Sequence, residues 1–178
     1  MSNAFNDYLK PVLVLMCICL VVTGILAFSF NVTDPIIKEN ARIAAEKARI
    51  ELIPEATGFE EITIENKDEI PGFVDAYKSE NGVGIVVTAA NRGYGGSVEA
   101  MISVDNEGKV IGIKVMSHEE TSGIGSRALE SSYLENYKGK SDANEVDGIS
   151  GVTFTSKAMR ANVSSALRVF EIVDKEGK

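Results

Sequence analysis

Beyond residue 33 the chain contains no cysteine, and its 178 residues include one histidine, His118. The first absence excludes disulfides there, and with them any iron–sulfur cluster held by the domain's own thiolates. One histidine without a soluble cysteine is too small a ligand set for zinc. As the base for a serine nucleophile, His118 would need an orienting acid and an oxyanion site. No spacing in the sequence signals either, so it is assigned a structural role and no catalytic residue is named. Positive charge is also scarce. With 18 basic against 26 acidic side chains the net charge is −8, and such a surface gains nothing from a phosphate backbone, which excludes nucleic acid as a partner. No run of like charge is long enough to act as a binding tail.

Charge disappears altogether from Pro11 to Thr33, "PVLVLMCICLVVTGILAFSFNVT". At about 1.5 Å per residue this run makes a helix of roughly 35 Å, enough for a hydrocarbon core of about 30 Å. A cleaved signal peptide is the competing reading, but its apolar core would be shorter and "ILAFSF" is a poor small-x-small cleavage site. The stretch is therefore expected to be an uncleaved single-pass anchor. Lys10 precedes it; Lys38, Arg42, Lys47 and Arg49 follow, interleaved with Asp34, Glu39 and Glu46. The charge count leaves its orientation open. Cys17 and Cys19 lie inside the run, two positions apart on a helix and so unable to bridge each other. They are expected to pack as small apolar residues, with a metal or cluster role shared with a neighbouring subunit as the alternative.

After the span, "TDPIIKENARIAAEKARIELIPEA" offers Asp34 as a cap, Pro35 in a first turn and an apolar stripe from Ile36 to Leu52 that Pro54 closes. This predicts a helix continuing from the anchor into the domain. The period then changes. Residues 59–64, 72–79, 82–90, 97–105 and 109–117 are short, β-branched and bounded by turn residues. "DNEGK" (105–109) is a hairpin signal with Gly108 as its left-handed residue. An antiparallel meander is expected, then a helix over 126–137 and a final one over 155–173, with Ala158, Met159, Val163, Ala166, Leu167, Phe170 and Val173 inward. The fold class is α+β: one domain behind a transmembrane helix, without internal repeats. The bounds are 1–33 for the anchor, 34–58 for the connecting helix and 59–178 for the domain.

One loop is unusual in composition. "DGISGVTFTSKAM" (147–159) places Gly148, Gly151 and four hydroxyls, on Ser150, Thr153, Thr155 and Ser156, at the entry to the last helix. Glycines allow close backbone approach, and a helix N-terminus favours an anion. Thr155 or Ser156 as a cap explains one hydroxyl. An ordinary capped helix after a glycine turn is the plain alternative. The loop is not a Walker loop, because the Gly-Lys-Ser/Thr ending is missing.

"DGISGVT" followed by "FTS" resembles the Asp-x-x-Ser/Thr-Gly-Ala-Thr flavinylation motif of the FMN-binding domain family. "HEETSGIG" (118–125) is similar to the family's His-x-Glu-Thr-Pro-Gly-Leu-Gly segment, with Ser122 for proline and Ile124 for leucine, and "GYGG" (93–96) to its glycine-rich turn. With the anchor and first helix, the resemblance covers nearly the whole chain in the family's order. It implies that Thr153 carries FMN as a phosphoester, attached by a separate flavin transferase using FAD. Ser150 and Gly151 are then motif residues and Asp147 the acidic residue that serves the transferase. Val152 stands where the motif has alanine, placing two methyl groups beside the acceptor hydroxyl.

A flat ring needs an apolar slot with a few donors at its polar edge. Gly95, Gly96, Gly123 and Gly125 leave room for backbone N–H groups to face it. Glu120 and Thr121 are placed to bond the ring edge or brace the loop, and Tyr94 to stack or to cover core. Ser122, Ile124 and Ser156 complete the expected cofactor-binding set. No metal site is expected.

The family includes the G subunits of Rnf-type ion-translocating ferredoxin:NAD+ oxidoreductases and the C subunits of Na+-translocating NADH:quinone reductases. The resemblance therefore implies an electron carrier without catalysis of its own, beside other membrane and peripheral subunits, its domain outside the cytoplasm. The compact length favours the first complex. A component of the quinone reductase or a stand-alone anchored flavodomain is the alternative. A pilin-like module would carry a glutamate inside its apolar stretch, and residues 11–33 have none.

Overall fold

The computed structural model describes residues 8–65 and 67–176. The chain divides into two units between Ala44 and Ala45. Helix α1, Lys10–Leu52, is continuous over 43 residues. Its most apolar window has a mean hydropathy of 2.8 and no part of it is buried by protein, so its length and apolarity suit a membrane crossing. Cys17 and Cys19 are free and exposed on it.

No new helix starts at Asp34, contrary to the cap expectation. Pro35 sits inside α1, and the Asp34 carboxylate pairs instead with Lys38 one turn on, at 2.7 Å. A proline removes one ladder N–H and crowds the preceding turn. The turns on either side carry the helix through.

The second unit is built on one five-stranded sheet, with β1 (Phe59–Glu61), β2 (Phe73–Ser79), β3 (Gly84–Arg92), β4 (Ser97–Asp105) and β5 (Val110–His118) in sequence order. Every pairing is antiparallel, as the alternation predicts. The β4–β5 hairpin closes at Gly108, φ 76°, while Asp105 Oδ1 accepts from the Glu107 and Lys109 amides at 2.8 and 2.9 Å.

The two faces of the sheet are covered by different helices. Val86 and Met101 point to one face and pack with Ala48 of α1 and with Ile53, the residue after its end. Arg49 lies 3.7 Å over the Tyr77 ring, and Glu51 pairs with Lys114. Ile85, Val87, Val98, Ala100 and Ile102 point to the opposite face. There they meet Ala158, Met159, Val163 and Ala166 of the last helix, Thr153–Glu176. Burying Met159 and Val163 completely contributes about 1.5–3 kcal/mol each.

The expected helix over 126–137 is broken. A 3-10 turn, Gly125–Leu129, is followed by one α turn, α2 (Ser131–Leu134), and a second 3-10 turn, Glu135–Tyr137. Glu130 between the first two is extended, φ −73° and ψ 144°. The break turns Ala128, Tyr133, Leu134 and Tyr137 all inward, which one short helix could not do. The last helix, α3 from here on, starts at Thr153, two residues before the expected start.

Candidate functional site

Three segments distant in sequence meet at one end of the sheet. The pairing of Arg92 with Ser97 makes residues 93–96 the β3–β4 turn, closed by the Gly93 amide on Gly96 O at 2.8 Å. Val98 pairs with His118, which sets the exit of β5 beside that turn. Asn162 fastens α3 to the same end: its amide nitrogen donates to Val98 O at 2.9 Å, and its oxygen accepts from Asn91 at 2.9 Å. This buried asparagine interrupts the apolar face of α3 and has its hydrogen bonds satisfied, as a buried amide must.

The turn and the β5 exit fit together through glycine. A Cβ on Gly95 would lie 2.2 Å from Glu119 O, and one on Gly96 2.1 Å from Glu119 Oε2. Glu120 runs between Gly93 and Gly125, where added Cβ atoms would stand 2.1 and 2.2 Å from its two carboxylate oxygens. The space these glycines leave is filled by the glutamates. Glu120 is only 6 % exposed; its Oε1 accepts the Tyr94 amide at 2.7 Å, and its Oε2 is buried without a partner. The His118 ring accepts the Glu120 amide at Nδ1, 3.3 Å away, a bracing contact.

The loop 147–153 is held from behind. Tyr133 donates its hydroxyl to Asp147 O at 3.1 Å, and Arg160 donates to Val146 O at 2.7 Å. Ser156 is not a cap. Buried one turn into α3, its Oγ accepts the Ile149 amide at 3.1 Å. Gly151, at φ 82° with open space around it, turns the chain into the helix, whose first ladder bond runs from the Ser156 amide to Val152 O at 3.0 Å. Thr153, exposed in the first turn, presents its hydroxyl beside amides that no helical carbonyl can take.

Between these segments lies a cavity of about 430 Å³ with mostly apolar walls, lined by Tyr94, Glu120, Thr121, Ile124, Gly125 and Gly151 through Thr155. Its volume falls within the roughly 300–1,000 Å³ of ligand pockets. Of the residues expected to face the cofactor, Tyr94, Glu120, Thr121, Ile124, Gly125, Gly151, Val152 and Thr153 line it. The others do not. Gly95 and Gly96 pack behind Glu119, Ser122 and Gly123 form the tip of the next loop, and Ser150 and Asp147 face solvent. Val152 is buried in the main core as well as in the cavity wall.

Phe154 and Thr155 also line the cavity, and the sequence reading gave neither a binding role. Phe154, 64 % exposed, faces Tyr94 with ring centroids 6.1 Å apart, and Tyr94 and Ile124 are 74 % and 63 % exposed. An aromatic side chain next to Thr153, in a turn where burial does not call for one, was the available signal. Thr155 Oγ1 is buried without a partner, like Glu120 Oε2. An apolar slot with rim aromatics, one orphaned acceptor, one orphaned hydroxyl and a helix N-terminus fits a flat heteroaromatic ring carrying a phosphate.

Comparison with known proteins agrees with that chemistry. Residues 93–168 match the FMN-binding domain, a span that contains every cavity-lining residue. The chain is 28 % identical over 164 residues to the G subunit of the proton-translocating ferredoxin:NAD+ oxidoreductase complex of Clostridium ljungdahlii, covering 84 % of both chains. It is likewise 28 % identical over 190 residues to the G subunit of the Na+-translocating complex of Acetobacterium woodii, covering 92 % of this chain and 91 % of that one. The G subunit of an ion-translocating oxidoreductase complex of Shewanella piezotolerans is 27 % identical over 180 residues.

Proposed function

Starting from a chain whose residues 93–168 match the FMN-binding domain, we propose that it is the membrane-anchored electron-transfer subunit of an ion-translocating ferredoxin:NAD+ oxidoreductase complex, with FMN bound through a phosphoester to Thr153. One observation carries the reading: a solvent-accessible threonine hydroxyl stands in the first turn of α3, at an apolar cavity suited to a flavin ring.

When bound, the flavin supplies reversible one- and two-electron chemistry. The chain's residues anchor, orient and shield it. Thr153 would hold the cofactor through its Oγ, which a flavin transferase would esterify to the FMN phosphate with FAD as donor and AMP as leaving group, the hydroxyl proton passing to the transferase. The N-terminus of α3 then faces the phosphate charge. Val152 and Ile124 supply apolar wall, while Tyr94 and Phe154 offer faces for stacking. Asp147, exposed and outside the cavity, is free to meet the transferase. Helix α1 anchors the chain in the membrane beside the other subunits, and the domain beyond it faces away from the cytoplasm.

The test is the intact mass of the chain purified from its native membrane. One FMN increment is expected on the peptide holding Thr153, and Thr153→Ala should remove it. A native chain that arrives unmodified beside its intact companion subunits refutes the attachment.

A further inference from the structure

Glu120 is the one charged side chain buried among the described residues, and its surroundings are built to keep it there. Gly93 and Gly125, far apart in sequence, clasp the carboxylate so closely that a methyl group on either would overlap it. The Tyr94 amide takes Oε1 at 2.7 Å. Oε2 is buried and unpartnered, and no lysine, arginine or histidine is among the residues that line the cavity with Glu120. An uncompensated acceptor of this kind is costly, so its retention calls for a donor brought by the ligand. An isoalloxazine ring has a single N–H on its polar edge, between two carbonyl oxygens. The hydroxyl of Thr155, the other orphan of the cavity, supplies a matching donor.

We infer that Glu120 Oε2 receives the ring N–H of the flavin and thereby holds the cofactor's reduction potential low. Resting on the reading that FMN occupies this cavity, the assignment adds what one side chain does there. Reduction increases the negative charge on the ring, and a carboxylate bonded to its edge opposes that increase, favouring the oxidised form. The clasp makes the effect reliable, since Glu120 has no room to swing away.

The experiment uses the full chain, flavinylated by co-expression with a flavin transferase, native and as Glu120→Gln. Loading is read by intact mass and the potential by spectroelectrochemical titration. Glu120→Gln should load and shift the preference for the reduced flavin about tenfold, a rise of about 30 mV for a two-electron couple. A loaded Glu120→Gln protein with unchanged potential overturns the assignment. The native chain loaded with 15N-labelled flavin gives a test that needs no variant. A ring N–H proton protected from solvent exchange is expected, and rapid exchange overturns the assignment. A native chain carrying no flavin overturns this inference and the parent reading together; flavin present with an indifferent Glu120 overturns this one alone.

Discussion

Two glycine-bearing regions border the cavity, and they use glycine for opposite reasons. In the clasp, where residues 93–96 meet 119–125, Gly93, Gly95, Gly96 and Gly125 have ordinary backbone angles and no room for a Cβ. In the loop 147–153, Gly151 has open space and a φ of 82°. The clasp needs glycine because another chain segment occupies the volume. The loop needs it because the backbone must turn left-handed. The first constraint is long-range and shared with the core; the second is local and leaves the loop exposed. Accordingly, substitutions in the loop should act on cofactor loading before stability, and substitutions in the clasp on stability before loading.

The strongest test of that contrast is Asp147→Ala in a strain expressing the transferase. Attached flavin should fall to background by in-gel fluorescence, while the melting temperature stays at the native value, the surface change costing no more than about 0.5 kcal/mol. Normal loading would remove Asp147 from the transfer step.

Next in size, Gly95→Ala should destabilise the protein by about 1–3 kcal/mol, because its Cβ meets the Glu119 backbone carbonyl, which no rotamer change can move. Thermal unfolding in detergent measures this, and a neutral result would dissolve the distinction between the regions. Gly151→Ala should cost less, about 1–2 kcal/mol from left-handed strain alone.

The smallest effect concerns the support behind the loop. Burial, aided by the Tyr133 hydroxyl at 3.4 Å, pushes the Tyr137 phenol well above the usual tyrosine range. Its stabilising contribution is therefore full below about pH 10, where the unfolded chain begins to ionise, and is lost as the pH rises further. At pH 11 that loss amounts to about 1.4 kcal/mol at most. Tyr137→Phe should melt with less change between pH 9 and pH 11 than the native protein.

Much of the fold was legible because its signals are short-range. The uncharged run of α1, the alternation of β2 to β5, the Gly108 turn and the inner stripe of α3 each follow from local period and turn chemistry. The glycine and hydroxyl loop at the entry to α3 was visible as well, and Thr153 lines the cavity. The helix expected over 126–137 was misjudged because its helical spacing hides an extended Glu130, which brings Ala128 inward along with Tyr133 and Tyr137. Phe154 and Thr155 were missed as cavity residues since their neighbours there come from segments tens of residues away.

The sequence alone determined that an apolar anchor precedes an α+β domain and that a threonine stands at the entry to its last helix, for those features depend on neighbours a few positions apart. Tertiary structure decided what surrounds that threonine. Only when Val98 pairs with His118, and Asn162 fastens α3 to the same end of the sheet, do three loops converge. The cavity, the orphaned oxygen of Glu120 and the two glycines that hold it follow from that convergence, because close packing acts between surfaces in space and leaves no period in the chain.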